Sequence, residues 1–178
     1  MQAAETDTTF LTSLLSFCKE NFTTLVTNSR FSTLFTHCMD ICREEKLYKF
    51  PLTSLYPGTT ATKLLKYKSY GKIMAKLILK CSQNVIDKAY RVLQKELRAA
   101  DLFDQCGKVS ILVAFLQREH PQAVALLAEM LKTLDERVKR ARYFSVLVVY
   151  LDRHPQRFSS ILGRIESRVD KKSRNVYL

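Results

Sequence analysis

Tryptophan is absent from this chain of 178 residues, and glycine and proline occur only four times each. A β-rich fold of this length draws on both residues for its many turns, so their scarcity points to long helices. Also missing is any run of the roughly 18 apolar residues that a membrane-spanning helix needs. The segments "VSILVAFL" and "YFSVLVVYL" both meet charge within a few residues. No arginine precedes Arg30, and Glu5 and Asp7 come before any basic residue, which is unlike a secretory or transit leader. The expectation is a soluble or peripheral intracellular protein of the nucleus, nucleolus or cytoplasm, with integral membrane insertion unlikely on these counts.

The usual catalytic patterns are missing too. Gly58, Gly71, Gly107 and Gly163 are isolated, so no phosphate-cradling loop exists, and there is no HExxH, GxSxG or kinase-like set. A non-enzymatic protein without a cofactor is expected. Five cysteines, at 18, 38, 42, 81 and 106, are an odd number scattered through helical patterns, as expected of reduced core thiols. "HCMDIC" brings His37, Cys38 and Cys42 together, but no second cluster completes a tetrahedral site, so no zinc is expected. Asp101 and Asp104 stand where a helix begins and read as capping and dipole partners.

What the chain has is positive charge, unevenly placed. Residues 1–62 hold 5 Lys+Arg and 6 Asp+Glu, a net of −1, whereas residues 63–178 hold 24 and 11, a net of +13. The stretch "KYKSYGKIMAKLILK", residues 66–80, places Lys68, Lys72, Lys76 and Lys80 four apart, with no acid between residues 63 and 86. At about 100° per residue these lysines wind along one helix beside its apolar face. Like charges one turn apart disfavour a helix by a few tenths of a kcal/mol per pair. Lys88, Arg91, Lys95 and Arg98 continue the pattern, and with Lys63 and Lys66 residues 63–98 reach 10 basic against 2 acidic residues. A merely solvated face mixes both signs, so this imbalance points to an anion-binding face. Tyr67, Tyr70 and Tyr90 are interleaved with it, at a spacing that serves either base stacking or packing at the rim of a core. A second basic cluster holds Arg137, Lys139, Arg140 and Arg142, and a third holds Arg168, Lys171, Lys172 and Arg174. Arginine's planar fork suits phosphate particularly well.

Apolar periodicity supports helices throughout. Phe10, Leu11, Leu14, Leu15, Phe17, Cys18, Phe22, Leu25 and Val26 recur at helical spacing until Asn28 and Ser29 interrupt them, and Phe31 to Cys42 resumes the pattern. "LYKFPLTSLYPGTT" then reads as a connection across the surface, because it holds two prolines and a Pro-Gly turn signal. Two later segments match each other. "VSILVAFLQREHPQAVALL" at 109–127 and "FSVLVVYLDRHPQRFSSIL" at 144–162 share S-x-L-V-x-aromatic-L and His-Pro-Gln, offset by 35 residues before a one-residue slip and 34 after it. "NSRFSTLF" at 28–35 echoes the second of them more loosely. Pro121 and Pro155 are each placed to start a helix, with His120 and His154 near its N-cap.

At the level of this two-helix period the pattern resembles the HEAT and armadillo arrays, which implies stacked antiparallel hairpins. The expected fold is all-α, with about seven or eight helices as a short α-solenoid or, alternatively, a compact helical bundle. Residues 1–62 form a neutral helical pair with its connecting loop, and residues 63–178 a basic helical-hairpin region, within one continuous domain. The expected function is a binding module that contacts RNA or another polyanion through backbone phosphates, within a ribonucleoprotein or nucleic-acid-processing assembly. Two alternatives stand beside it: a scaffold whose helical groove holds an acidic or amphipathic partner, and peripheral association with anionic membranes. The neutral residues 1–62 are the expected site of a protein contact.

Overall fold

The computed structural model describes residues 2–54, 63–99, 101–133 and 141–157. Among them the chain is all-helical, as a bundle of ten packed helices. Seven are long: α1 (Gln2–Glu20), α3 (Ser29–Ile41), α6 (Lys68–Lys80), α7 (Gln83–Arg98), α8 (Cys106–Gln117), α9 (Pro121–Thr133) and α10 (Ala141–Arg153). Three are single turns, α2 (Phe22–Leu25), α4 (Glu45–Tyr48) and α5 (Phe50–Thr53), and a 3₁₀ turn at Pro155–Arg157 follows α10.

The bundle is organised around α8. Its sequence CGKVSILVAFLQ is apolar on nearly every side, and Val109, Ile111, Leu112, Ala114, Phe115 and Leu116 are all buried. A helix of that composition belongs inside. It packs on α6 and on α10, while α6 also packs on α3. The approach of α6 and α8 is set by two glycines. A Cβ on Gly71 would sit 2.3 Å from Gly107 Cα, and a Cβ on Gly107 would sit 2.2 Å from the Leu65 carbonyl oxygen. Only residues without a side chain allow this backbone-to-backbone contact.

An aromatic cluster joins the neutral and basic parts of the chain. Phe22 meets Phe31, Phe35, Phe50 and Tyr70 edge-on, with ring centroids 5.3 to 6.2 Å apart, a preferred geometry for aromatic pairs. The Ser69 hydroxyl donates to the Val26 carbonyl. Helices α1 to α5 and the helices from α6 onward therefore share one core.

Two expectations fail here. The segment 47–54 does not cross the surface: it forms α4 and α5, and Tyr48, Phe50 and Leu52 are buried. Pro51 stands in the first turn of α5, where its missing N–H leaves nothing unsatisfied; the rest of that predicted connection, 55–60, lies outside the described residues. The N-terminal pattern also breaks earlier than expected, at Asn21. Its side-chain amide donates to the Phe17 carbonyl at 3.0 Å, a bond that competes with continued helix. Asn28 instead caps α3, accepting from the Arg30 N–H at 2.9 Å.

The matching segments place corresponding residues at corresponding depth. Ile111, Leu112 and Phe115 on α8, like Val146, Leu147 and Tyr150 on α10, are buried. Each His-Pro-Gln histidine rests on the aromatic five or four residues before it, Phe115–His120 at 5.3 Å and Tyr150–His154 at 4.7 Å between centroids. The one-residue slip falls at Glu119, whose φ is 53°. Its N–H bonds the Leu116 carbonyl, and the His120 N–H bonds the Phe115 carbonyl, at 2.9 and 3.0 Å. That pair of bonds is a Schellman cap, with glutamate in the left-handed position that glycine usually fills. The second segment lacks this residue, and the His154 N–H bonds Tyr150 and Leu151 carbonyls directly. Pro121 opens α9 and Pro155 opens the 3₁₀ turn; the remainder of the second segment, from residue 158, lies outside the described residues.

Candidate nucleic-acid interface

The lysine column on α6 divides in two. Because residues four apart advance by about 40° around a helix, Lys68 and Lys80 differ by about 120°. The upper members Lys68 and Lys72 are exposed, as are Lys63 and Lys66 just before the helix. Lys66 lies over the Tyr67 ring, 5.1 Å from its centroid. The lower members turn toward the N-terminal helices. Lys76 Nζ pairs with Asp40 Oδ1 at 2.7 Å, and this hydrogen bond holds the Asp40 carboxyl below the usual carboxylate range. Lys80 Nζ donates to the Cys42 carbonyl at 3.2 Å and lies 5.0 Å from the Tyr48 ring centroid. These two lysines hold α6 against α3 and α4.

On α7 the arrangement is different. Ile86, Ala89, Tyr90, Leu93 and Leu97 face inward, and Lys88, Arg91 and Lys95 are exposed on the opposite side. Spaced by three and four, the three cations lie within an arc of about 60°. Arg98 lies further round and pairs with Glu129 at 3.1 Å. Lys63, Lys66, Lys68, Lys72, Lys88, Arg91 and Lys95 make no ion pair with any described residue.

The reason is where the two acids of residues 63–98 go. Glu96 serves Lys108, a cation that the sequence did not single out, and Asp87 is hydrogen-bonded to His120. Glu96 Oε2 and Asp101 Oδ1 hold Lys108 Nζ at 2.9 and 2.7 Å, and the Lys108 side chain is only 4% exposed. Burial works against that charge, but the hydrogen bonds to Asp101 and Glu96 outweigh it and keep the Lys108 pKa above the ordinary lysine value. Asp101 is thus an ion-pair partner and not a cap; the N-cap of α8 is Gln105, whose amide donates to Asp101. Asp87 Oδ1 meets His120 Nε2 at 3.2 Å, and also accepts from Gln83 Nε2 at 2.7 Å, while Gln83 Oε1 accepts from Arg118. No spacing rule marks Lys108 or Asp87 for these roles, because both contacts cross between helices.

His120 is buried and stacks on Tyr90 with centroids 4.4 Å apart and planes 22° from parallel. Its Nδ1 is buried with no hydrogen-bond partner. Burial lowers its pKa, and Asp87 only partly opposes the shift. Tyr70 and Tyr90 are buried core rings and Tyr67 is half-buried, so of the three only Tyr67 stands near the exposed lysines. His37 is exposed while Cys38 and Cys42 are buried, and no group of three metal-ligating side chains forms among the described residues. Burial pushes the Cys18 and Cys81 thiols up to about 11, which makes them packing groups and poor nucleophiles. Four apolar side chains of the neutral region remain outside the core: Phe10 and Phe17 on α1, Leu34 and Ile41 on α3, each pair seven residues apart.

Arg142 falls within α10. Arg137, Lys139 and Arg140, together with Arg168, Lys171, Lys172 and Arg174, lie outside the described residues. No described helix is long and apolar enough to cross a membrane. Set against family models, curated proteins and solved structures, the chain matches none of them, and its functional reading rests on the distribution of charge described above.

Proposed function

We propose that the chain is a non-enzymatic α-helical module that binds RNA through backbone phosphates within a ribonucleoprotein assembly. One observation carries the reading: Glu96 is paired with the buried Lys108 and Asp87 is hydrogen-bonded to the buried His120, so Lys88, Arg91 and Lys95 face solvent together without carboxylate partners among the described residues. Lys63, Lys66, Lys68 and Lys72 extend the same unneutralised charge. Bare cations at this density attract a polyanion and release its counterions on binding. The exposed Phe10, Phe17, Leu34 and Ile41 support a protein contact through the neutral helices in the same assembly. Buried free thiols suit a reducing intracellular setting.

The test is a salt titration of binding to mixed-sequence single-stranded RNA and to a duplex, from about 50 to about 200 mM, comparing the natural chain with Lys88→Glu/Arg91→Glu/Lys95→Glu. The natural chain should bind with a steep salt slope. Removing three phosphate contacts should flatten the single-strand slope by about 2 and weaken binding at least tenfold at low salt. Affinity unchanged by the reversal, or insensitive to salt, removes the proposal.

A further inference from the structure

Helices α6 and α8 run side by side in the same direction. Their first turns touch at Gly71 and Gly107, and just past the end of α8 Arg118 Nη1 donates to the Leu79 carbonyl at 3.4 Å. Between these two ties lies an open groove of about 410 Å³. Ala75, Leu79, Val109 and Val113 line it, Lys72 and Lys76 stand along its α6 wall, and among the described residues none of its lining is acidic.

We propose that this groove docks a short amphipathic helix of a partner protein, one that carries acidic residues beside its apolar stripe. Length supports the match. From Lys72 to Leu79 the wall runs seven residues, about 10 Å, the separation of apolar anchors at i and i+7 on a bound helix. The lining supports it as well: small and branched side chains leave room for the partner's aliphatic knobs, and Leu79 is 41% exposed at the mouth. Charge selects the partner's sign. Lys72 has no ion pair with a described residue, and Lys76 shares its charge only with the half-exposed Asp40, so an acidic flank meets a complementary wall. RNA bases would find no aromatic ring in this lining to stack on. The inference shares only Lys72 with the RNA reading, whose central residues lie on α7.

The experiment is fluorescence anisotropy of the full chain with a labelled 18-residue helical peptide bearing leucines at i, i+4 and i+7 flanked by glutamates. The control peptide has lysine at every glutamate. Micromolar binding of the acidic peptide is expected, at least tenfold tighter than the basic one, and lost at least tenfold in Leu79→Glu and in Lys72→Glu. Both substitutions are at exposed positions, and circular dichroism checks that each variant remains helical; Val113→Glu, inside the groove, is the second probe. The α7 triple reversal should leave peptide affinity unchanged while it weakens RNA binding. Equal affinity for the two peptides, no binding of either, or binding that survives both Leu79→Glu and Val113→Glu overturns the proposal. Displacement of the peptide by decanoate would assign the groove to an acyl chain, and displacement by RNA that persists in the triple reversal would assign it to nucleic acid; either outcome overturns it too.

Discussion

The two sides of α7 obey opposite electrostatic rules. On the inner side each carboxylate has a partner: Asp87 accepts a hydrogen bond from His120, and Glu96 joins Asp101 around the Lys108 ammonium. On the outer side Lys88, Arg91 and Lys95 have none among the described residues. A residue count sees one moderately mixed helix. The structure sorts it into a hydrogen-bonded inner seam, which belongs to stability, and an outer face of cations without partners among the described residues. The comparison teaches that a net charge becomes informative only when it is known which charges already neutralise one another.

The strongest way to break the contrast is to move α8. Gly107→Ala puts a Cβ into the Leu65 backbone, forces α6 and α8 apart, and displaces Lys108, the next residue, from its carboxylates. A loss of about 3 kcal/mol or more is expected, read as a lower urea midpoint with an unchanged slope. Next comes the seam itself. Glu96→Gln with Asp101→Asn leaves the Lys108 ammonium buried without a counter-charge and should cost about 2 to 3 kcal/mol. Lys108→Met should cost less, since the two carboxylates it leaves behind are partly exposed. A double variant as stable as the natural chain would show that the seam is not what holds α7 to α8.

A smaller effect follows from His120. Its folded pKa lies below the unfolded value because burial disfavours the charged ring, so the unfolded chain binds the extra proton first. The contribution is present above the unfolded pKa of about 6.5 and is lost as pH falls through the folded value. Denaturation midpoints measured at stepped pH should decline across that window in the natural chain. In His120→Gln the decline should flatten. The smallest effect belongs to the outer face. Lys88→Ala/Arg91→Ala/Lys95→Ala should change stability by no more than about 0.5 kcal/mol. A large loss in this variant would erase the distinction between the two sides, because it would give the outer cations a structural role.

Helical content and the apolar face of α6 were legible from apolar spacing, and the basic excess was legible from counting; on α3, Leu34 and Ile41 fit the helical spacing but are exposed. Local pattern could not reveal contacts between helices. Lys76 and Lys80 looked equivalent to Lys68 and Lys72 because the winding of the column was legible but the place of α3 beside it was not, and only the lower pair reaches Asp40 and Cys42. Pro51 looked like a break because a proline that opens a helical turn and one that ends a helix read alike until the burial of Phe50 and Leu52 is known. Gly71 and Gly107, isolated in sequence and so uninformative there, allow the backbone-to-backbone contact of α6 and α8.

The left-handed residue at Glu119 shows where this chain tolerates a change of length. One residue added inside a helix would rotate everything beyond it by about 100° and carry core side chains into water. Added between Arg118 and His120, it is absorbed by a single unusual φ, and His120 still rests on the aromatic ring of the helix before it, as His154 does without the extra residue. The two His-Pro-Gln segments differ in length at this one position. The turn after α8 thus serves as an expansion joint, which takes up one residue and still returns the histidine to its ring.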